Sequence, residues 1–315
     1  MKIHIPYTSN QQIGGGYTFY RNFLDGLTKV KDHGIEIVEE NEQHDILFAF
    51  APTTVSGETI ARSKKAGAKF VLRMDGVPED NRNSGKGTRR MVEYALMADS
   101  IVYQSTFIEH SVGRMLRDNG VKCQTVIVRN GVDTDVFTHD GPRVDLNGNP
   151  KILHIAYRKD NNKRYEEVLA MYREFWTFNK QSNLVLIGRY PTEWTDYNMG
   201  FFNGERFQRL GIVQDDPKKA SFIRSCDVMF YPSYADPAPN VVLEAMACGV
   251  PIVFNRYGGV AEYVEDCGVA IGSGGSYLEL IERAMQIDRN IVRGQAIKFS
   301  LEEMIKHYIE VFQSI

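Results

Sequence analysis

The stretch FYPSYADPAPNVVLEAMACG, Phe230 to Gly249, decides how the rest of the chain is read. The apolar run from Cys226 to Tyr231 reads as a buried strand. Pro232 ends it, and Pro237 and Pro239 forbid both a helix and a continuing central strand. Asn240 suits an N-cap, so Val241 to Cys248 reads as a short helix closed by Gly249. Asp236 then lies on a loop beyond a strand end, and Glu244 about one turn into the next helix. The amides opening that helix are a ready place for a phosphate. Two carboxylates nearby can accept hydrogen bonds from vicinal hydroxyls, which a ribose or a hexose presents. An ordinary strand–loop–helix with a solvated Asp and a surface Glu would use the same residues.

Outward from this stretch, strands and helices alternate in both directions. Lys2 to Pro6 reads as a strand, Gly14-Gly15-Gly16 as a turn, and Tyr17 to Val30 as a helix with Tyr20, Phe23, Leu24 and Leu27 on one face. Strands follow at Ile35–Val38, Ile46–Ala51, Lys69–Met74, Ser100–Gln104 and Gln124–Val128. Helices at Glu58–Ala66, Thr88–Ala98 and Phe107–Asn119 separate the later ones. Thr138 to Pro150 is rich in Gly, Pro, Asn and Asp and reads as a domain boundary. Alternation then resumes from Ile152 to a C-terminal amphipathic helix, Phe299–Phe312. Such alternation predicts parallel, doubly wound sheets.

The 315 residues suffice for two domains. A net charge of −3, balanced between the halves, gives no reason to expect nucleic acid as a partner. Four scattered cysteines without a CxxC fit a reducing compartment and argue against structural zinc. No signal-peptide core and no apolar run of membrane-spanning length is present, so a cytoplasmic location is expected. Arg62, Lys64, Lys65, Lys69, Arg82, Lys86, Arg89 and Arg90 form a basic stretch, interrupted by Asp75, Glu79 and Asp80. It reads as a solvated face or as a peripheral membrane contact.

The central stretch resembles the donor-binding motif of retaining glycosyltransferases of family 4. That motif has two acids separated by seven residues, then Ala-Met and a small residue before Gly. Here the first acid is Asp236 rather than Glu, and Pro237-Ala238-Pro239 stands where Gly-Phe-Gly is common. Ala98 to Ser105, Asn130-Gly131-Val132-Asp133 with Phe137, and Phe299-Ser300 resemble further segments of the family, so the likeness covers nearly the whole chain. It implies the glycosyltransferase B architecture, α/β with two Rossmann-like domains whose parallel sheets face a central cleft. Residues 1–145 would form an acceptor domain and 146–298 a nucleotide-sugar donor domain, with 299–315 crossing back.

The resemblance also implies site roles. Arg158 and Lys163 would hold the donor pyrophosphate, although Ala156-Tyr157 stands where Gly is usual, leaving Lys159 and Arg164 as substitutes. Gly15 and Gly16 would close over the donor phosphate; taken alone, the Gly triplet reads equally as a flexible turn and is not GxGxxG. Asp75 lies where many members carry a His; an Asp-Gly turn is the alternative. Glu244 would take ribose hydroxyls, Asp236 sugar hydroxyls, and the amides of Asn240 and Val241 phosphate or sugar. Asp133-Thr134-Asp135 reads DxD, but near the linker this is the wrong context for a metal pair, and the histidines have no ligand spacing, so no metal and no cofactor are expected. The implied reaction moves a sugar, with retention, from a UDP- or GDP-linked donor to the hydroxyl of a glycan, lipid-linked or small-molecule acceptor. An epimerase or phosphorylase of the same fold, or a non-catalytic nucleotide-sugar binding subunit, are the alternatives.

Overall fold

A computed structural model describes residues 1–7, 14–74, 76, 85–157, 164–190 and 206–315. The chain divides into two units, Met1–Gly131 with Leu301–Ile315, and Val132–Ser300. Among the described residues, each unit carries a six-stranded sheet with all its pairings parallel.

The first sheet comprises β1 (Lys2–His4), β2 (Glu36–Val38), β3 (Ile46–Ala49), β4 (Lys69–Met74), β5 (Ser100–Tyr103) and β6 (Gln124–Ile127), in the order β2-β1-β3-β4-β5-β6. Its helices are α1 (Gly15–Lys29), α2 (Gly57–Lys65), α3 (Lys86–Met97) and α4, which runs on through Thr106–Ile108, Glu109–Gly113 and Arg114–Asp118. Parallel strands are covered on both faces, so they read as unbroken apolar runs. In β4 every residue from Phe70 to Met74 is buried. One recurrent device pins the strand starts. Asp45, Asp99 and Asp227 each precede a strand, and each accepts the amide of a neighbouring strand, from Lys2 at 2.7 Å, Phe70 at 2.8 Å and Lys151 at 2.7 Å. Burial would raise the Asp99 carboxyl, but the Phe70 amide and Lys64 outweigh it and hold it below its usual range.

The second sheet comprises β7 (Lys151–Ala156), β8 (Asn183–Gly188), β9 (Phe207–Gly211), β10 (Val228–Tyr231), β11 (Ile252–Phe254) and β12 (Gly268–Ala270), in the order β12-β11-β10-β7-β8-β9. Side chains alternate between two cores: Leu153 and Ile155 of β7 join one, Ile152 and Ala156 the other. The helices are α5 (Tyr165–Phe178), α6 (Asp216–Arg224), α7 (Asn240–Ala247), α8 (Ala261–Val264), α9 (Tyr277–Met285) and α10 (Arg289–Ile297). Strand β9 and helix α10 escape the sequence reading. In the strand Phe207 alone is fully buried and there is no apolar run, and the pattern of the helix is interrupted by Gly294 between Arg293 and Gln295.

The division between units falls at Gly131/Val132, not in the Gly/Pro-rich segment that suggested 145/146. Val132, Phe137 and Leu146 are buried in the second unit's core. Arg224 and Arg293 donate to the carbonyls of Thr138 and Phe137 at 2.9 and 3.2 Å, so the irregular segment is bound down along its length. The chain leaves this unit again after Ser300, which bridges Val132. Helix α11 (Leu301–Gln313) then packs in the first unit against α1. A Cβ on Gly26 of α1 would lie 2.6 Å from Ile305, so glycine is what lets the two helices approach. Phe19, Phe23, Phe48, Tyr308 and Phe312 fill the space around them.

Candidate functional site

Strand order locates the crevice. Counted within its own unit, the second sheet has the order 3-2-1-4-5-6, and direction reverses between β7 and β10. Ligands of open parallel sheets bind beyond the carboxyl ends of the strands at that reversal. Two loops begin there, one after Ala156 and one after Tyr231. The second is the stretch that opened the sequence reading.

Asp236 and Glu244 both lie on it, in different settings. Asp236 is half-buried. Its Oδ2 accepts the hydroxyl of Tyr231 at 2.7 Å, and Tyr231 is itself buried at the end of β10. Its main chain bridges Gly258, beyond β11, and its carbonyl accepts the Gly259 amide at 2.8 Å. The approach is close enough that a Cβ on Gly258, whose φ is +140°, would sit 2.7 Å from the Asp236 carbonyl oxygen. Asp236 is therefore held toward β11.

Glu244 is buried, with 3% of its surface exposed. Its Oε1 accepts from Lys219 Nζ of α6 at 2.9 Å, and the same ammonium lies 3.0 Å from Asp216 Oδ1. Burial alone would push the Lys219 ammonium down. The two carboxylates outweigh it, so its pKa stands above the ordinary lysine value and it is charged throughout the physiological range. Tyr157, just past β7, donates to the Val213 carbonyl at 3.0 Å and belongs to the same neighbourhood, beyond the β7 and β9 ends. Glu244 is thus one corner of a buried charged cluster, where a lone surface carboxylate was the simplest reading. A carboxylate has about four lone-pair sites, so pairing with Lys219 still leaves acceptor capacity.

Helix α7 opens one residue earlier than expected. Pro237 and Pro239 keep the backbone extended, so Pro239 takes the N-cap position with φ −75° and ψ 109°, and Asn240 is the first helical residue. Asn240 is buried and Val241 half-buried. The same shift occurs in the other unit: Gly14, with φ +108°, is the N-cap of α1, and Gly15 and Gly16 are its first helical residues rather than a preceding turn. Nothing lies within 4 Å of a Cβ built on Gly14 or Gly15, so the first of them is required by its backbone conformation and not by crowding.

Asp75, Arg158, Lys159 and Lys163 lie outside the described residues. Arg164 caps the start of α5 and pairs with Glu167. Asp133 serves its own turn, with Oδ1 accepting the amides of Asp135 at 3.0 Å and Val136 at 3.3 Å. Among the described residues no group of three His, Cys, Asp or Glu could hold a metal ion, and no helix is long and apolar enough to cross a membrane. In the basic stretch, Arg62 pairs with Glu40 and Lys64 with Asp99. Burial pushes the Cys248 thiol up to about 12 and the Cys226 thiol higher, so neither supplies a thiolate nucleophile near neutral pH.

Sequence reasoning missed Lys219 and Tyr231 as site residues. A signal existed for the first: Lys219 falls four residues before the buried Ile223 and next to the buried Ala220, so it is a cation on the buried face of α6, as is Arg224 at its end. Tyr231 carried none beyond being the last residue of its strand.

Known proteins share this fold and part of this sequence. Residues 149–287 match the family model described as glycosyl transferases group 1. D-inositol 3-phosphate glycosyltransferase of Arthrobacter sp. (strain FB24) is 44% identical over 50 residues, 16% of this chain and 12% of that protein. An uncharacterized glycosyltransferase of Methanocaldococcus jannaschii is 24% identical over 198 residues, 59% of this chain and 48% of its own. The aligned parts thus span about half or less of these relatives. Among solved structures, Anabaena HepE in complex with UDP and glucose superposes with a TM-score of 0.74 at 17% identity, covering 100% of both chains. Sucrose-phosphate synthase from Thermosynechococcus elongatus gives 0.73 at 15% identity over 99% of this chain and 98% of that one. At such identities the likeness establishes the fold, which is that of the glycosyltransferase B class.

Proposed function

We propose that this chain, whose residues 149–287 match the glycosyl transferases group 1 model, moves a sugar from a nucleotide-sugar to an acceptor hydroxyl, with retention and without a metal ion. The observation that carries the reading is the placement of Asp236 and Glu244 on one loop and helix at the β7/β10 reversal, held in opposite directions. Glu244, beside Lys219, suits the ribose. Asp236, turned toward β11, suits the transferred sugar. Arg158 and Lys163, which follow β7 in the sequence, would supply the cations that the pyrophosphate needs as charge grows on the leaving oxygen.

In this scheme the bond from the anomeric carbon to the phosphate oxygen breaks and a bond to the acceptor oxygen forms on the same face. The acceptor's proton passes to the departing phosphate, so no protein nucleophile is required. The test is release of free UDP or GDP from a donor panel in the presence of candidate acceptors, followed by two variants. Glu244→Gln should weaken free nucleotide binding and raise the donor KM. Asp236→Asn should leave nucleotide binding nearly unchanged and lower kcat, because its contacts tighten only as the glycosidic bond breaks. Equal loss of nucleotide affinity in both variants would refute the division of roles.

A further inference from the structure

Two half-exposed aromatic rings stand beside Asp236. Tyr234, on the loop after β10, is 43% exposed, and Tyr257, on the loop after β11, is 52% exposed. Their rings stack with centroids 4.5 Å apart and planes 18° from parallel. Other large apolar side chains exposed among the described residues lie on other elements: Leu96 on α3, Phe178 on α5, Ile37 on β2, and Ile291 and Ile297 on α10. The pair is fixed from beneath by main-chain bonds. The Ala235 amide donates to the Tyr257 carbonyl at 2.8 Å, and the Tyr257 amide to Asn255 Oδ1 at 2.9 Å. Between Tyr234 and Asp236, Ala235 adopts φ +54°, a left-handed conformation that a residue with a β-carbon rarely takes. These loops hold two rings to the outside at some conformational cost, rather than burying them.

We infer that Tyr234 and Tyr257 form an aromatic shelf for a pyranose ring, next to the carboxylate that takes sugar hydroxyls. One face of a pyranose presents C–H bonds and its rim presents hydroxyls. The electron-rich face of a tyrosine suits the first, and an adjacent carboxylate suits the second. A nucleobase would also stack on such rings, but the geometry disfavours it. The base follows the ribose, and the ribose carboxylate Glu244 is tied to Lys219 on α6, near Tyr157 and Val213 past the ends of β7 and β9. The shelf is tied instead to the loop after β11, across β10 from β7. The inference rests on the glycosyltransferase reading and extends it to the substrate's sugar ring, whether that of the donor or of the acceptor.

The experiment separates these sources. Calorimetry with UDP, GDP, UDP-glucose and GDP-mannose, and saturation-transfer NMR with the methyl glycosides of glucose, galactose, mannose and N-acetylglucosamine at saturating nucleoside diphosphate, are run on the wild type, on Tyr257→Phe and on Tyr234→Ala/Tyr257→Ala. An acceptor-side shelf gives glycoside signals on the C–H protons of one ring face, lost in the double alanine variant with at least a five-fold weaker affinity and kept in Tyr257→Phe. A donor-side shelf gives instead a five-fold or greater loss for the sugar nucleotide alone, with free UDP or GDP binding unchanged. Retention of all sugar affinities in the double alanine variant, or a loss confined to free UDP or GDP, overturns the shelf. If neither UDP nor GDP binds the wild type, the nucleotide reading fails on its own, and glycoside signals that still depend on the two rings would sustain the shelf without it.

Discussion

Lys219 offers the sharpest test of how the site is built. Its ammonium is 2.9 Å from Glu244 Oε1 and 3.0 Å from Asp216 Oδ1, and the side chains of Lys219, Glu244 and Asp216 are 6%, 5% and 17% exposed. Lys219→Met keeps the stem and deletes the charge, which leaves a buried carboxylate without its cation. Breaking a buried pair in this way costs about 3–5 kcal/mol. For a unit of this size that corresponds to a drop in Tm of roughly 6–20 °C. Replacing both partners should be far milder, because apolar pairs of similar volume fill such sites nearly neutrally. Lys219→Met/Glu244→Met should therefore recover most of the loss in scanning calorimetry, whereas nucleotide binding should be lost in the double variant. The pH dependence has a definite sign. The lysine pKa is raised on folding, so its contribution is fully present below the unfolded value of about 10.4 and is lost only as pH rises through the folded one. The lysine itself therefore adds no pH dependence between pH 6 and 9, and any narrowing of the gap between wild type and Lys219→Met toward acid reports protonation of the unpaired Glu244 in the variant. A Tm change of less than about 2 °C in Lys219→Met, or a double variant no more stable than the single one, would refute the buried-pair account.

Other substitutions probe the neighbouring contacts. Tyr231→Phe removes a charge-assisted bond to Asp236 of about 1.5–3 kcal/mol, so kcat should fall by roughly 10–150-fold while calorimetric UDP or GDP affinity is unchanged. Gly258→Ala puts a Cβ against the Asp236 carbonyl at a positive φ, and should destabilise by about 1–3 kcal/mol in thermal unfolding. Asp99→Ala removes the acceptor of the Phe70 amide and leaves Lys64 with the Met97 carbonyl. Because the Asp99 carboxyl is lowered on folding, its contribution is present above pH ~4 and lost as pH falls through the folded value, so the variant's deficit should be seen at pH 7 and vanish in acid. Turnover should survive EDTA; loss restored by manganese would instead favour a metal-assisted leaving group.

Much of this was legible in the sequence. A parallel strand buried on both faces must be an apolar run, and a helix on such a sheet must carry an apolar stripe, so the alternation of β and α was readable from local pattern alone. The prolines of 237–239 forced a loop, and so fixed Asp236 outside the strand and Glu244 inside the helix. Even the departure at Asn240 is local, since the extended Pro239 takes the N-cap position itself and lets the helix open one residue earlier. Tertiary structure decided the rest. No local pattern states that β10 lies beside β7, because strand order is set by which crossovers pack, and that adjacency is what puts two loops at one crevice. Lys219 and Glu244 are 25 residues apart and Asp236 and Gly258 are joined across two strands. A lysine on an apolar helix face is tolerable only once folding brings a carboxylate to it, and the sequence holds that partner without pointing to it. Composition marked 138–150 as a boundary because Gly, Pro and Asn favour turns, yet burial of Phe137 and Leu146 assigned the segment to the second unit. Turn chemistry is written in neighbouring residues, whereas burial depends on what the whole chain stacks above them.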